Sequence, residues 1–382
     1  MTRTADLTHS LIILLTATAL LTIIGLIFIY SASSVFALEH KGDATFYLKR
    51  QSFGIFASLL VVLVMSHIPS QWIQTYSGLG FFIALILTLL PIVYPSCSLT
   101  IHGSSRWLSL VKGYSFQPSE LLKVTFIPCI ASLLANPSSH RNLSFKRIIG
   151  VLLLSGCASI ILLLQPDFGQ AFLLMTTALC LAALTYQSPY KLFLLAIPIG
   201  VMGIVLIMRQ PYRLRRIMTF LYPWDDPRGA GFQIIQSLIA IGSGGMSGVG
   251  IAQSQQKYFY LPMQHTDFIF SIISEETGFI GAVLIIILYL CILYSGIRLA
   301  SHMRQTWQTI TVAGITILIS LEALINLAVT TGTAPTKGLG LPFVSYGISS
   351  LIGHSCMIGI IMACARAHQR APQERAAHYA LS

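Results

Sequence analysis

Long apolar runs separated by short polar segments dominate the chain. Ten such runs occupy residues 11–30, 53–68, 77–94, 118–135, 148–165, 169–187, 190–208, 267–297, 307–331 and 345–365. A helix needs roughly 20 mostly apolar residues to cross a bilayer, and a segment in lipid must satisfy its backbone hydrogen bonds internally. The pattern therefore predicts an all-α integral membrane fold with ten transmembrane helices. Proline and glycine interrupt residues 165–169, which predicts a tight hairpin there.

Composition supports lipid as the solvent of this chain. The 382 residues are 55% hydrophobic and only 9% charged, whereas an ordinary soluble domain is about 25% charged. The net charge of +11 would suggest nucleic acid in a soluble protein, but the sequence contains no nucleic-acid-binding motif. We therefore expect the membrane, and not a nucleic acid, as partner. The first apolar run exceeds the roughly 7–15 residues of a signal peptide core, which favours an uncleaved first span.

Lysine and arginine are distributed unequally between the two sets of loops. The set that includes both termini carries ten of them, and the short loops of the other set carry six. Because cytoplasmic loops are enriched in positive charge, the sequence predicts cytoplasmic termini. It divides the chain into an N-terminal segment 1–10, one transmembrane domain 11–365 and a cytoplasmic tail 366–382. Within the domain, residues 209–266 form a large extracytoplasmic loop between helices 7 and 8.

That large loop is basic although it is predicted to lie outside. It holds Arg209, Arg213, Arg215, Arg216, Arg228 and Lys257. One interpretation is a solvated surface, or arginines that reach lipid headgroups from the end of span seven. The other is a site for an anionic group at the outer face of the membrane.

Acidic residues are few, so their positions are informative. Asp267 lies where the large loop enters span eight, and an ionisable residue at membrane depth is a functional candidate. Alternatively, Thr266 or Asp267 caps the helix; a helix N-terminus would also keep the carboxylate ionised. Asp267, Ser271 and Glu275 recur every four residues, which predicts one helix face directed into the protein.

Other polar residues have both structural and functional interpretations. Glu120 and Lys123 are three residues apart and are expected to pair, while Glu322 and Asn326 form a stripe typical of contacts between helices. The glycine cluster at residues 242–250 could cradle a phosphate or allow close helix packing. Overall, the outer side offers one poised carboxylate and many cations. This combination suits a displacement reaction with an anionic leaving group, which needs charge stabilisation.

Several of these stretches, in this order and spacing, resemble the SEDS family of cell-wall polymerases across roughly residues 15–365. The matching motifs are Arg106-Trp107, Phe116-Gln117-Pro118-Ser119-Glu120, Gln165-Pro166-Asp167-Phe168-Gly169, Pro223-Trp224-Asp225-Asp226-Pro227, Gly231-Phe232-Gln233, Gly242-Ser243-Gly244-Gly245, His265-Thr266-Asp267-Phe268-Ile269-Phe270, Glu275-Glu276 and Leu341-Pro342-Phe343-Val344-Ser345-Tyr346-Gly347.

Within the family, the details resemble the division type, FtsW, more than the elongation type, RodA. These details are residues 254–258, 222–224 and 335–338. Two departures stand out. Met263 and Gln264 occupy places where the family usually has an acid after Leu-Pro, and Ile348 replaces a glycine of the Ser-Tyr-Gly-Gly turn. The first departure puts a second outer carboxylate in doubt, and the second suggests a different turn near Lys337.

The resemblance implies a ten-helix peptidoglycan glycosyltransferase that polymerises lipid II in septal synthesis at the bacterial inner membrane. Asp267 would be the general base of an inverting displacement of undecaprenyl pyrophosphate. The expected substrate-binding residues are Arg106, Trp107, Glu120, Lys123, Arg213, Arg215, Arg216, Gln255, Lys257, His265, Thr266, Lys337 and Ser345.

The resemblance also implies a divalent cation, Mg²⁺ or Mn²⁺, whose ligands the sequence does not identify. The implied partners are a class B penicillin-binding transpeptidase and other division proteins. Two alternatives stay open: a lipid II flippase, whose translocation path the polar faces of spans eight and nine would supply, and a catalytically silent division scaffold.

Overall fold

The computed structural model describes residues 2–94, 98–101, 104–111, 114–135, 145–185, 211–229, 231–258, 262 and 264–381, with single positions between 190 and 208. Eight helices in this part are long and apolar enough to cross a membrane. The helices and strands before the large loop are α1 (Thr2–Lys41), α2 (Phe46–His67), α3 (Ser70–Val93), β1 (Ser98–Ile101), β2 (Ser104–Val111), β3 (Tyr114–Phe116), α4 (Pro118–Leu134), α5 (Phe145–Leu164) and α6 (Phe168–Thr185). The elements that follow are α7 (Pro211–Leu221), a 3₁₀ turn (Pro223–Asp225), α8 (Phe232–Ser243), α9 (Ile269–His302), α10 (Thr306–Thr330) and α11 (Ile348–Leu381).

The prediction of a multi-pass helical membrane protein is confirmed, but the number ten is not. Helix α4 has 17 residues, fewer than the roughly 20 that a span needs. Most of the seventh predicted span, 190–208, lies outside the described residues. The large loop is not irregular, because it contains α7 and α8. The last helix continues beyond the predicted boundary at residue 365, and its span-like part ends at Gln369.

A small antiparallel sheet corrects the all-α prediction. Strands β1, β2 and β3 lie side by side between α3 and α4, with Leu99 opposite Trp107 and Leu108 opposite Phe116. The predicted hairpin is confirmed, since α5 ends at Leu164 and α6 begins at Phe168. The sheet and this hairpin are joined by Arg106 of β2, whose Nε donates to the Gln165 carbonyl oxygen at 3.0 Å.

The glycine cluster at residues 242–250 packs against a break in helix α9. Gly278 has φ 67° inside α9, so the helical hydrogen bonds are interrupted there. The amides of Val249 and Gly250 donate to the freed carbonyls of Glu275 and Glu276 at 3.0 and 3.1 Å. A Cβ on Gly248 would lie 2.2 Å from the Glu276 carbonyl oxygen. The cluster therefore serves close packing and not, through these two amides, a phosphate cradle.

Charged side chains meet inside the helix bundle. Lys123 of α4 lies 2.8 Å from Glu120 of the same helix and 2.9 Å from Glu322 of α10. His354 of α11 approaches the other Glu322 oxygen at 3.0 Å. All four side chains are buried. The predicted Glu120–Lys123 pair is confirmed, and the polar residue Glu322 joins helices as expected.

Candidate active site

Asp267 lies immediately before helix α9 at one end of the bundle, which we call the site end. Phe268 occupies the N-cap position of α9 and its side chain makes no capping bond. Neither Thr266 nor Asp267 therefore holds the N-cap position itself. Instead, the amide of Asn326 in α10 donates to the Asp267 carbonyl at 2.8 Å and to the Leu339 carbonyl at 2.7 Å. One side chain thus fixes the backbone of the acid beside the loop between α10 and α11.

Arg106 lies next to the Asp267 carboxylate. A Cβ on Gly338 would be 3.6 Å from Asp267 Oδ2 and 4.0 Å from Arg106 Nη1, so both groups lie within about 4 Å of the same point. Arg106 is fixed by the carbonyls of Gln165 and Pro166 and by Asp167, whose Oδ2 lies 3.4 Å from Nη1. The sheet, the α5–α6 hairpin and Asp267 therefore meet at one point.

The surroundings of Asp267 raise its pKa to about 7. The main cause is desolvation by the surrounding protein, and the nearby carboxylate of Asp167 adds to it. The guanidinium groups of Arg106 and Arg216 act in the opposite direction and lower the pKa. The expectation of a carboxylate held ionised by a helix N-terminus is replaced by a carboxyl group that titrates near neutrality.

Two further cations come from the large loop and from the α10–α11 loop. Arg216 of α7 donates to the Thr336 carbonyl at 3.0 Å. The neighbouring Lys337 places its ammonium group 4.0 Å from the ring centre of Phe172 and 5.5 Å from that of Phe168. Burial lowers the pKa of Lys337 to about 8. Arg106 and Arg216, predicted from distant parts of the sequence, are thus brought close enough to act on the Asp267 carboxyl. Lys337 lies next to Gly338 in the same loop, with its ammonium group over the phenylalanine rings.

Gln255 and Lys257 are held elsewhere. The Lys257 ammonium donates to the Ala252 carbonyl and lies 3.9 Å from the Glu276 carboxylate. The Gln255 amide donates to Glu275 at 2.9 Å. These contacts attach residues 252–257 to α9, so the ammonium of Lys257 is engaged with Glu276 and not with Asp267.

His265, Thr266 and Ser345 shape the approach to Asp267. The buried His265 ring lies among Tyr47, Tyr346 and Phe36, with ring centres 4.7, 5.7 and 5.8 Å away. Burial lowers the pKa of His265 to about 4, so the ring is neutral. Ser345 accepts from the Leu341 amide at 2.7 Å and donates to the Thr266 carbonyl. These contacts join the segment before α9 to the segment before α11.

The remaining predicted site residues have separate positions. Trp107 is half-buried in β2, and Arg215 forms an exposed pair with Asp226 at 3.3 Å. Glu120 and Lys123 belong to the ion cluster inside the bundle, and the side chain of Arg213 lies outside the described residues. The predicted common face of α9 does point inward, because Ser271 and Glu275 are buried, although Asp267 itself precedes the helix.

The described residues do not form a cage for a resident metal ion. No group of three or more histidine, cysteine, aspartate or glutamate side chains among them could hold one. Beside Asp267, the carboxylate of Asp167 is paired with Arg106. Asp267 by itself offers fewer ligands than an all-protein site needs.

Sequence reasoning missed two residues that position the site: Asp167 and Asn326. Asp167 stood in the predicted hairpin, and its place on the same side of the membrane as Asp267 was the available signal. Asn326 was interpreted as a contact between helices, which it also is.

The chain matches the model of a family described as cell cycle protein, FtsW/RodA/SpoVE, over residues 11–370. The chain belongs to this family. A probable peptidoglycan glycosyltransferase FtsW from Geobacter sp. (strain M18) is 39% identical over 362 residues, which are 93% of this chain and 96% of that protein. Stage V sporulation protein E of Bacillus subtilis (strain 168) is 37% identical over 357 residues, again 93% and 96%. The predicted SEDS membership is thereby confirmed.

Two solved structures share the fold of this chain. A chain in the structure of a peptidoglycan synthase complex, described for its coordination of polymerization and crosslinking, has a TM-score of 0.75 and 27% identity, covering 93% of this chain and 97% of that one. The rod shape determining protein RodA of Thermus thermophilus has a TM-score of 0.68 at 23% identity, covering 93% and 96%. Nearly the full length of this chain therefore adopts the family's fold.

Proposed function

We propose that this protein is a peptidoglycan glycosyltransferase that polymerises lipid II into glycan strands during septal wall synthesis. Relatives that cover most of the chain are named as peptidoglycan glycosyltransferases. The observation that carries the proposal is the placement of Asp267 beside Arg106 and Arg216, with a carboxyl pKa of about 7. A general base works best when its pKa lies near the operating pH.

In the proposed reaction, Asp267 accepts the proton of the 4-hydroxyl group of an acceptor N-acetylglucosamine. The hydroxyl oxygen forms a bond with the anomeric carbon of a donor N-acetylmuramic acid, which inverts that carbon. The bond from this carbon to undecaprenyl pyrophosphate breaks, and the diphosphate leaves with the bonding electron pair. A positioned base of this kind typically contributes 10²–10⁴-fold to the rate.

The cations around Asp267 would stabilise the diphosphate. Arg106 already binds the α5–α6 hairpin, so its guanidinium is fixed and contributes charge without moving. Arg216 and Lys337 lie on two segments that meet at Thr336, where a leaving group could lie between them. Roles in substrate binding for Trp107, Arg213, Arg215, Gln255, Thr266 and Ser345 belong to the same proposal.

A divalent cation fits only as an ion shared with the substrate. Mg²⁺ is commonly held by one or two carboxylates together with substrate phosphates, and Asp267 is the carboxylate placed for this. When bound, such an ion would add positive charge near the diphosphate. We further propose cytoplasmic termini, a place at the division septum, and a transpeptidase of the class B penicillin-binding type as partner, since a structural relative is part of a peptidoglycan synthase complex.

The test is polymer formation from lipid II by the purified protein, with and without a co-purified transpeptidase. The variant Asp267→Asn keeps the shape of the side chain and removes the base, so we expect a loss of at least about 100-fold. Asp226→Asn is the matched control, because Asp226 is an exposed acid of the same outer loop that pairs with Arg215. Near-normal polymerisation by Asp267→Asn would refute the base assignment. Movement of labelled lipid II across vesicles without any polymer would favour the flippase alternative.

A further inference from the structure

A cavity of about 280 Å³ lies at the end of the bundle opposite to Asp267. It is formed where α2 passes into α3 and α9 into α10, beside residues 363–368 in the middle of α11. Helix α9 starts next to Asp267 and ends at His302, and α10 returns to Asn326 at the site end. The cavity is therefore separated from the proposed active site by the length of these helices.

The lining of the cavity is basic. It includes Arg304, Arg366, His67 and His368, together with glutamine and serine side chains, and contains no aspartate or glutamate. Arg366 is oriented by a hydrogen bond from Nη1 to the Ser66 carbonyl at 3.2 Å. Among the side chains that the structure describes, neither arginine forms an ion pair. An anion is the ligand that such a cavity favours.

Neutral donors and the helix ends add to this preference. The side chain of Gln308 lines the cavity and is held by its Nε2 group, which donates to Ser70 Oγ at 3.1 Å. Helix α3 begins at Ser70 and α10 at Thr306, and neither helix has a side-chain cap. Their first turns contribute partial positive charge, which supplements the two guanidinium groups.

The cavity lies at the level of the lipid headgroups. Trp72 and Tyr76 follow the lining residue Gln71 on α3, and both rings are exposed on the outside of the bundle, with their centres 6.5 Å apart. Exposed tryptophan and tyrosine at the end of a span mark the membrane–water interface. An anion that enters the cavity at this depth therefore arrives from the headgroup layer.

We propose that this cavity is a binding site for the phosphate of an acidic phospholipid in the leaflet opposite to Asp267. Its size is at the lower end of ligand pockets, which are about 300–1,000 Å³. It therefore accommodates a phosphate with a small headgroup, while the acyl chains remain beside the apolar surface of α3. A site of this kind would make the protein sensitive to the lipid composition of its membrane.

The test uses the full-length protein in a neutral detergent and counts bound lipids by native mass spectrometry. Phosphatidylglycerol is titrated against wild type and the double variant R304Q/R366Q. A cation near an acidic membrane surface contributes about fivefold in affinity, so the double variant should bind about 25-fold more weakly. The control Arg298→Gln removes a charge from the same end of α9, where Arg298 lies over Tyr294 outside the cavity. It should bind phosphatidylglycerol like wild type.

Unfolding temperatures measured without added lipid establish that each variant is folded. If the double variant does not fold, Arg304→Gln alone provides the test, because Arg304 is exposed at the rim, and should weaken binding about fivefold. Unchanged phosphatidylglycerol affinity in these variants would overturn the proposal. Equal binding of phosphatidylcholine would also overturn it, as would displacement of the lipid by millimolar inorganic phosphate, which would indicate a site for a soluble anion.

Discussion

The pH dependence of polymerisation tests the proposed role of Asp267 most directly. A base acts in its deprotonated form, so activity is present above its pKa and is lost as the pH falls through that value. With a pKa of about 7, Asp267 is about nine-tenths ionised at pH 8 and about one-tenth ionised at pH 6. We therefore expect kcat/KM to fall about tenfold between these values. A carboxyl group at its ordinary pKa would give no change in this range.

Lys337 is expected to give the pH profile of activity a second, alkaline limb, along which activity falls as the pH rises. Its pKa is lowered to about 8 by burial, so its positive charge is present below that pH and is lost above it. If Lys337 stabilises the leaving diphosphate, activity declines on the alkaline side and the profile is bell-shaped. Lys337→Arg should remove the alkaline limb, since a guanidinium group stays charged, and should leave the acid limb in place.

The assay is the initial rate of glycan formation at lipid II concentrations below KM, which reports the ionisations of the free enzyme. Asp226→Asn serves as the control and should retain both limbs, because this exposed acid pairs with Arg215 in the outer loop. A flat profile between about pH 6 and 8 in wild type would show that Asp267 is not the titrating base. So would an acid limb that persists unchanged in the residual activity of Asp267→Asn.

Three further predictions concern positioning and stability. Lys123→Met leaves two buried carboxylates without their ammonium partner and should destabilise the protein by about 3–5 kcal/mol in thermal unfolding. Lys49→Met removes a solvent-exposed pair and should leave the unfolding temperature nearly unchanged. Gly248→Ala should lower the unfolding temperature, because residue 248 has a φ of +80° and the new Cβ would meet a carbonyl oxygen. Gly78→Ala should not lower it, because there is open space around Gly78. Equal unfolding temperatures for the two variants would contradict the packing role of the turn at Gly248. Asn326→Leu removes both bonds to the Asp267 and Leu339 carbonyls, and we expect at least about a tenfold loss of polymerisation with normal expression. Unchanged turnover in this variant would show that the asparagine does not position the acid.

The sequence predicted the helices well where apolar runs are long, because burial in lipid leaves a single chain segment few alternatives. It missed the sheet between α3 and α4, whose strands of four, eight and three residues are too short and too polar to show a clear period. The start of α2 at Phe46, seven residues before the predicted run at residue 53, escaped for a similar reason. Lys49 and Arg50 lie in its first turns and hide the helix from a hydropathy pattern.

Side-chain pairing was less predictable than the positions of candidate residues. Asp267, Arg106 and Arg216 come together as charge and motif order suggested, and Lys337 follows Thr336, whose carbonyl binds Arg216. Lys257 was expected beside them but lies at Glu276. That contact depends on the break at Gly278, which brings the loop onto α9, and a lone glycine in an apolar run does not by itself indicate a break.

The ion cluster inside the bundle also constrains how the protein can move. The carboxylate of Glu322 on α10 binds both Lys123 of α4 and His354 of α11. If any one of these three helices slid along the others, a buried charge would lose its partner in surroundings that cannot solvate it. We therefore expect α4, α10 and α11 to keep their relative positions. The conformational changes that admit a long lipid and release a polymer should occur between other helices.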